Sequence, residues 1–442
     1  MIERAPATLN LSISKEFLEM TGDEAVISLM AQIDDEYYYW NTVKRLPMPN
    51  GVQPFEVWNI TKIRRRLTPH KLKFGSYSFH WNTNNKLQEL LHFLDVHIGG
   101  SKNSPYNDIP KEDKNRYLVS ALMEEAIASS QIEGAATTRK QAKEMLRQNK
   151  KPTNRSEQMI VNNYSTITRI MELRAVPLSK ELLLEIHELI TRNTLFNKED
   201  EGTLRYDDEI NVVDNATGEV VHHPPDVAEL DSMLDALIRF FNDEDSQPFI
   251  HPLIKASIIH FMVGFIHPFV DGNGRTARAL FYWYLLKNEY WLTEYLSISR
   301  MILRAKAQYA RAFQYTEVDE HDLTYFILYN LRTMKLAFDE LTAYVMRKKE
   351  EQKALSEIIG ADGISYRQSV ILDWFYKDAE LLLTVKELQN RLAVSNQTAR
   401  NDLHALTVKG YLQSKALNKV TVGYQRAHTF NTLIAQASKK HS

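Results

Sequence analysis

The chain has 442 residues, a formal net charge of -2 and 44% hydrophobic residues. At roughly 150 residues per domain this is material for about three cored domains, with no whole-chain field to mark it as a nucleic-acid or membrane binder. There are no cysteines, which excludes disulfides and thiolate chemistry and fits a reducing cytoplasm.

MIERAPATLNLSISKEFLEM lacks the continuous apolar core of a signal peptide. Residues 1–105 read as mostly helical, on the patterns EAVISLMAQIDDEYYYW and NNKLQELLHFLDVHIGG, with turn-rich connections. SKNSPYNDIPKEDKN, 101–115, is polar, contains two prolines and reads as a linker. From 106 to 345 helical periodicity dominates, in RYLVSALMEEAIASSQIEG, SEQMIVNNYSTITRIMELRA, KELLLEIHELITRN, VAELDSMLDALIRFFND, PLIKASIIHFMVGFI and RTARALFYWYLLKNEY. One interruption, EINVVDNATGEVVHHPP, has two short β-branched runs about an Asn-Ala-Thr-Gly turn and predicts a hairpin. The most apolar stretch, Ala256 to Val270, contains His260, His267 and Pro268 and is short of the ~20 residues that span a bilayer; a buried core helix and no membrane partner are expected.

Directly behind that helix stands HPFVDGNGRTAR, residues 267–278. Pro268 forces a break near Ile266, and a second helix is expected from about Arg275. Gly272-Asn273-Gly274 can take backbone angles closed to other residues, so that successive N–H groups converge at a helix N-terminus, a natural anion cradle. Arg275 and Arg278 are three apart and project near one face of the first turn, suiting a polyphosphate. Asp271 repels phosphate directly but makes sense as a Mg2+ ligand bridging to phosphate oxygens. His267 is the one side chain here able to take a proton near neutral pH. It also follows a helix C-terminus, whose dipole favours the protonated ring, whereas a base must be neutral.

This stretch resembles the signature of the Fic family of nucleotidyl-transferases, HxFx(D/E)GNGRxxR, at every fixed position. The resemblance implies a mainly α fold: an all-helical Fic core with a β-hairpin flap, here beside a helical N-terminal region. It implies transfer of AMP from ATP to a Tyr, Ser or Thr hydroxyl of a target protein. His267 would deprotonate the hydroxyl, Phe269 anchor the loop and Asp271 hold Mg2+. Gly272, Asn273 and Gly274 would cradle the phosphates. Arg275 and Arg278 would grip the phosphate chain, with Thr276 and Ala277 between them in the ATP-binding stretch. Related Doc-type kinases lack the intact Gly-Asn-Gly-Arg pattern, so AMP transfer is favoured over phosphorylation.

Upstream, SSQIEGA closes the helix of 116–134. Ser129 and Glu133 are four apart and share a face, and Gly134 is a natural stop. The stretch resembles the family's inhibitory motif, (S/T)xxxE(G/N), which implies that Glu133 pairs with Arg278 where the γ-phosphate would lie. Gly202-Thr203-Leu204-Arg205 resembles a G-x-x-R stretch near the flap, and the flap itself would pair with an extended target segment. His222 and His223 are read as surface or packing. Tyr309 corresponds to a family tyrosine near the nucleoside, and core packing serves it equally well.

Residues 365–435 form a separate unit. LTVKELQNRLAVSNQTARNDLHALTVKGYL reads as a helix, a turn at Ala393-Val394 and a second helix opened by Ser395; LQSKAL and KVTVGYQRAHTF then resemble the ribbon of a winged helix. Over 383–430 seven Lys/Arg stand against Glu387 and Asp402, so 7 − 2 = +5, leaving -7 elsewhere. Gln397, Arg400, Asn401 and His404 fall on the expected recognition face, types that reach base edges or phosphates. DNA binding and protein contact, including pairing as a homodimer, both fit that unit. The leading expectation is an adenylyltransferase restrained by Glu133. The alternatives are a Fic enzyme that removes AMP or transfers another nucleotide, and a DNA-binding regulator whose core senses nucleotide.

Overall fold

The computed structural model describes residues 2–7, 22–49, 51–99, 111–213, 217–244, 248–361, 363–392, 394–417 and 421–439. Most of the linker, the turn residues Asn215 and Ala216, Ala393 and Lys419 lie outside the described residues. The chain divides into two compact units, Met1–Leu341 and Thr342–Ser442.

The first unit opens with α1 (Glu24–Glu36), where the Asp23 carboxylate accepts from the Ala25 and Val26 N–H groups, and α2 (Pro54–Leu67), with proline in its first turn. Next comes a hairpin absent from the sequence reading, β1 (His70–Phe74) and β2 (Tyr77–Trp81), turning at Gly75 with φ +57°. Its cue was present in Lys71-Leu72-Lys73-Phe74, a period-two alternation with Leu72 and Phe74 buried. The hairpin and α3 (Asn85–Ile98) are joined to the rest of the unit: His80 N–H donates to His321 O (3.2 Å) and Leu323 N–H to His80 O (2.8 Å). The buried Lys62–Asp319 pair, 2.8 Å apart, adds a charged tie.

The helical core follows as α4 (Lys111–Ile132), α5 (Arg139–Arg147), α6 (Arg155–Leu173) and α7 (Lys180–Thr191). The flap strands β3 (Val212–Val213) and β4 (Val220–His222) pair antiparallel, as the sequence predicts. Behind them run α8 (Val227–Phe241), α9 (Pro252–Ile266) and α10 (Asn273–Lys287). α9 and α10 are buried on nearly every side, which is why their sequences lack a polar face. They pack on each other and enclose the short loop 267–272. α11 (Ile298–Arg304), α12 (Lys306–Val318) and the opening turns of α13 (Thr324–Ala361) complete the unit. No helix among the described residues is long and apolar enough to cross a membrane.

The second unit has α14 (Tyr366–Lys377), β5 (Leu383–Thr384), α15 (Val385–Leu392), α16 (Asn396–Val408), β6 (Leu412–Ala416), β7 (Val422–Arg426) and α17 (Phe430–Lys439). Its three strands are antiparallel in the order β5-β7-β6. Phe375, Leu388, Leu403, Leu406 and Tyr411 share one core. Helix, turn, helix and ribbon is the predicted winged helix. α14, β5 and α17 were not read from sequence, and the last strand stops at Arg426 rather than continuing to residue 430.

Candidate active site

His267 ends α9 in the left-handed region, φ 49° and ψ 57°, with its N–H bonded to Val263 O at 3.1 Å. A β-carbon there costs about 1–2 kcal/mol, so the surrounding fold holds the ring where it is. The ring's Nδ1 faces Gly264 O at 3.3 Å. A carbonyl can only accept, so Nδ1 carries the hydrogen and Nε2 keeps its lone pair. Burial pushes the ring's pKa down to about 4, outweighing the Gly264 carbonyl that favours the charged form. Desolvation therefore wins over the helix dipole, and the imidazole is neutral at pH 7.

The loop after it is clamped. The Asn273 side chain accepts from Phe269 N–H (3.0 Å) and donates to Phe269 O (2.7 Å), and the Phe269 ring is fully buried. That clip starts α10 at Asn273, two residues earlier than expected. Only Gly272 has positive φ, +88°, and a β-carbon there would meet Thr191 Cγ2 at 2.8 Å. Gly274 is helical, and a β-carbon there would displace the Glu133 carboxylate from its place beside Arg278. The expected three-residue cradle is thus one left-handed glycine and a helix N-terminus, with the Asn273 side chain turned inward.

Arg275 is buried; its guanidinium donates to Ile190 O (3.1 Å) and lies 3.4 Å from Asp271 Oδ1. Asp271 is 41% exposed at the rim, and its Oδ2 also meets Arg155 at 3.1 Å. Arg278 donates to Ser129 Oγ (2.9 Å), Ser129 O (3.0 Å) and Glu133 Oε1 (2.8 Å). Although burial works against its charge, the neighbouring Glu133 carboxylate holds Arg278 firmly protonated. Thr276 and Ala277 are buried between the two arginines. Three polar atoms, Arg275 Nε, Thr276 Oγ1 and one terminal nitrogen of Arg278, are buried with no hydrogen-bond partner among the described residues. Unpaired buried donors are costly, and a cluster of them marks a place built for an anion.

Ser129 lies in the last turn of α4 and Glu133 directly follows its end at Ile132; Ala135 N–H returns to Ser130 O (3.0 Å) and Gly134 takes φ +92°. Lys306 caps that end by donating to Gln131 O and Ile132 O at 3.0 and 3.1 Å. Tyr309, one turn further along α12, bonds His260 Nε2 at 2.8 Å; its hydroxyl is pushed well above the usual range by burial although Arg278 opposes the shift.

Two residues escaped the sequence reading. His187 stacks flat on Phe269, 3.7 Å between centroids and 4° between planes. Its Nδ1 accepts from Gly202 N–H (3.1 Å), so Nε2–H donates to Asp271 O (2.8 Å), and burial lowers its pKa to about 4. The available signal was a histidine on the apolar stripe of KELLLEIHELIT, beside Leu183, Ile186 and Ile190. Arg155, at the start of α6, carried no signal beyond its charge. Arg205 is buried and donates to His267 O (3.1 Å), Asp207 O (2.8 Å), Asp208 Oδ1 (3.0 Å) and Pro225 O. Its own N–H bonds Pro268 O at 2.9 Å. His222 clamps Phe265 O (2.7 Å) and Glu317 (3.0 Å), while His223 meets Asn211 Oδ1 at 2.6 Å.

In the second unit, Gln397, Arg400, Asn401 and His404 are all exposed along α16. Gln397 bonds Asn401 (2.9 Å) and Arg400 bonds Asn396 (2.9 Å). Asp402, counted above against the basic residues, is buried against Arg367 on the opposite side. Arg426 is committed to Phe375 O and Tyr376 O (2.6 and 2.8 Å).

Residues 177–285 match the family model described as Fic/DOC family, and residues 367–425 the one described as HTH domain. Over 69 residues, 16% of this chain, the sequence is 39% identical to "Protein adenylyltransferase Fic" of Drosophila sechellia and, equally, of Drosophila melanogaster. That match spans 14% of the length of these curated relatives. A Fic family protein from Desulfovibrio desulfuricans G20 shares the fold: TM-score 0.52 at 21% identity, over 79% of this chain and 98% of that one. The chain therefore carries a Fic domain and, C-terminal to it, a helix-turn-helix domain.

Proposed function

We propose that the chain is a protein adenylyltransferase that moves AMP from ATP to a Tyr, Ser or Thr hydroxyl of a target protein and is restrained by Glu133. The observation that carries this is the buried, partly unpartnered guanidinium pair Arg275–Arg278 beside a neutral His267, with Glu133 standing in the place of an anion. The target oxygen would attack the α-phosphorus while His267 Nε2 takes its proton. The bond from α-phosphorus to the bridging oxygen breaks, and pyrophosphate leaves with the electron pair. Nearby phosphate charge would raise the imidazole's affinity for that proton, so a base that is neutral when free becomes an adequate acceptor in the complex. Positioning and charge stabilisation supply most of such a rate enhancement.

Asp271 fits a Mg2+ site: a hard carboxylate at the open rim, next to donors that would hold phosphate. Bound there, the ion would neutralise phosphate charge. Among the described residues no group of three or more His, Cys, Asp or Glu side chains is placed to hold a metal ion, so phosphate and water would supply its other ligands. Arg155 would have to release Asp271 Oδ2 as the ion enters.

ATP labelled at the α-phosphate tests the reading on wild type, Glu133→Gly and His267→Ala. Label on protein is expected to be strongest for Glu133→Gly, weaker for wild type and absent for His267→Ala; label moving only from the γ-position points to a kinase. For the C-terminal unit we propose DNA binding through α16. The exposed row Gln397, Arg400, Asn401, His404 supports it, and a gel shift titrated with salt tests it, since phosphate contacts weaken steeply as salt rises.

A further inference from the structure

A groove of about 690 Å3 lies on the first unit, lined by Arg66, Lys71, Lys73, Ser78, His80 and Glu320. Its floor is the outer face of the β1–β2 hairpin, where Lys71 stands opposite His80 and Lys73 opposite Ser78. The buried pair Leu72 and Phe79 also contributes to the lining, while Phe74 is buried in the core. The one acid in the groove is already matched, for Glu320 is bonded by Arg66 and lies 4.0 Å from Lys62. Lys71 and Lys73 are exposed and make no hydrogen bond or ion pair among the described residues. Two ammonium groups about two residues apart on one strand face are therefore left without counter-charge.

The backbone is open on the same side. His80 sends both its N–H and its C=O away from β1, to residues 321 and 323. In an antiparallel pair that orientation is shared by the residue opposite, so Lys71, and with it Lys73, turn their N–H and C=O outward from β1. The outer edge of β2 is occupied at residues 321–323, whereas β1 has no strand beside it among the described residues. The hairpin also adjoins the active site. Tyr77 packs edge-on against Phe265, 5.2 Å away in the last turn before His267, and Ser76 bonds Glu229 at the start of α8, just past the flap.

We propose that this edge receives an extended acidic segment of the protein substrate, added to β1 as a strand with carboxylates at alternate positions over Lys71 and Lys73. Strand addition brings every second side chain of the incoming segment onto the face that bears the lysines. It also matches the edge's alternating donors and acceptors, half of which would face a nucleic-acid phosphate with the wrong polarity. That the occupant is a substrate rests on the transferase reading; that the groove takes an acidic strand does not.

The test uses the full chain and a fluorescein-labelled ten-residue peptide alternating Glu and Thr, followed by anisotropy at low salt. An alternating Lys-Thr peptide and a ten-nucleotide single strand of DNA serve as comparisons. The Glu-Thr peptide binds in preference to the Lys-Thr peptide, and any oligonucleotide binding, which α16 can supply, is unchanged by reversing the two lysines. Lys71→Glu with Lys73→Glu weakens it at least about tenfold, since each exposed pair is worth a few-fold and reversal adds repulsion; the double Gln variant falls between. Unchanged melting of both variants separates this loss from misfolding. Equal binding of the Glu-Thr peptide by the reversed variant, no binding at all, a preference for the basic peptide, or oligonucleotide binding that the reversed variant loses to the same extent overturns the proposal, since DNA held by α16 does not depend on these lysines. Self-labelling by Glu133→Gly from α-labelled ATP reports on the transferase reading separately, and its failure leaves the peptide result standing.

Discussion

Replacing Glu133 by Gln keeps the side chain's size and removes its charge. Arg278 makes three hydrogen bonds and loses the charged character of one, the 2.8 Å contact to Glu133; the two to Ser129 stay. The arginine is 3% exposed and the glutamate 31%, so the pair is largely but not wholly shielded from water. A hydrogen bond between charged groups contributes about 1.5–3 kcal/mol, and the lower half of that range is appropriate with the carboxylate partly in solvent. Two effects of opposite sign follow. Without nucleotide the buried guanidinium lacks its counter-charge, so the variant melts a few degrees lower at most. With Mg2+ and ATP the phosphate chain no longer competes with a carboxylate, and AMP incorporation at limiting ATP rises by roughly 10- to 30-fold, the equivalent of about 1.4–2 kcal/mol. Melting scans with and without nucleotide, beside a filter assay with α-labelled ATP, measure both. A variant that melts lower yet transfers no faster, with nucleotide giving it no larger rise in melting temperature than wild type, refutes the inhibitory role of the pair.

Lys306→Gln removes the cap on the carbonyls before Glu133, an interaction with a helix end of about 0.3–1 kcal/mol. AMP incorporation is expected to rise about two- to fivefold in wild type and not at all in the Glu133→Gly background, where rate measurements on the four proteins expose any direct effect. Asn273→Ala unpairs the buried Phe269 N–H and C=O and lets the loop drift, so transfer measured in the Glu133→Gly background should drop about a hundredfold, while an undiminished rate would free Asn273 of its clamping role. His187 and His267 have folded pKa values near 4, below the ordinary 6.5, so the unfolded chain binds more protons between these limits. Stability is therefore complete above about pH 6.5 and lost as pH falls towards 4, by roughly 3 kcal/mol per ring, which urea titrations at pH 7 and 4.5 can follow. The acid limb of kcat/KM should lie below pH 6.5 for the same reason, and a limb above that value would contradict a buried neutral base.

Much of the architecture was legible because its cues are local. α9 announces itself by an apolar run interrupted only by Lys255, Ser257 and His260, and the break behind it by Pro268. Ser129 and Glu133 needed only a spacing of four to be placed on one face, and the structure sets both on Arg278. The start of α10 was misplaced because the Asn273 side chain clips back onto Phe269, four residues earlier, and holds the first helical residue there, an interaction no turn propensity encodes. The β1–β2 hairpin went unread for another reason. Its alternation spans few residues between stronger helical signals, and its outer partner, residues 321–323, lies far along the chain. His187 shows the limit most plainly. On its own helix it is one polar residue in an apolar stripe, and only the fold brings Phe269, Asp271 and Gly202 around its ring.

Through its guanidinium Arg205 reaches the carbonyl of the residue carrying the base and both roots of the flap, at Asp207 and Pro225, while its backbone N–H holds the carbonyl of the proline after the base. One residue, by its planar guanidinium and the amide behind it, is thus the hub on which two otherwise separate loops turn. The hairpin that would meet an incoming protein and the backbone that aims the imidazole share one rigid joint, so whatever pulls on the first is felt by the second without any intervening helix having to move.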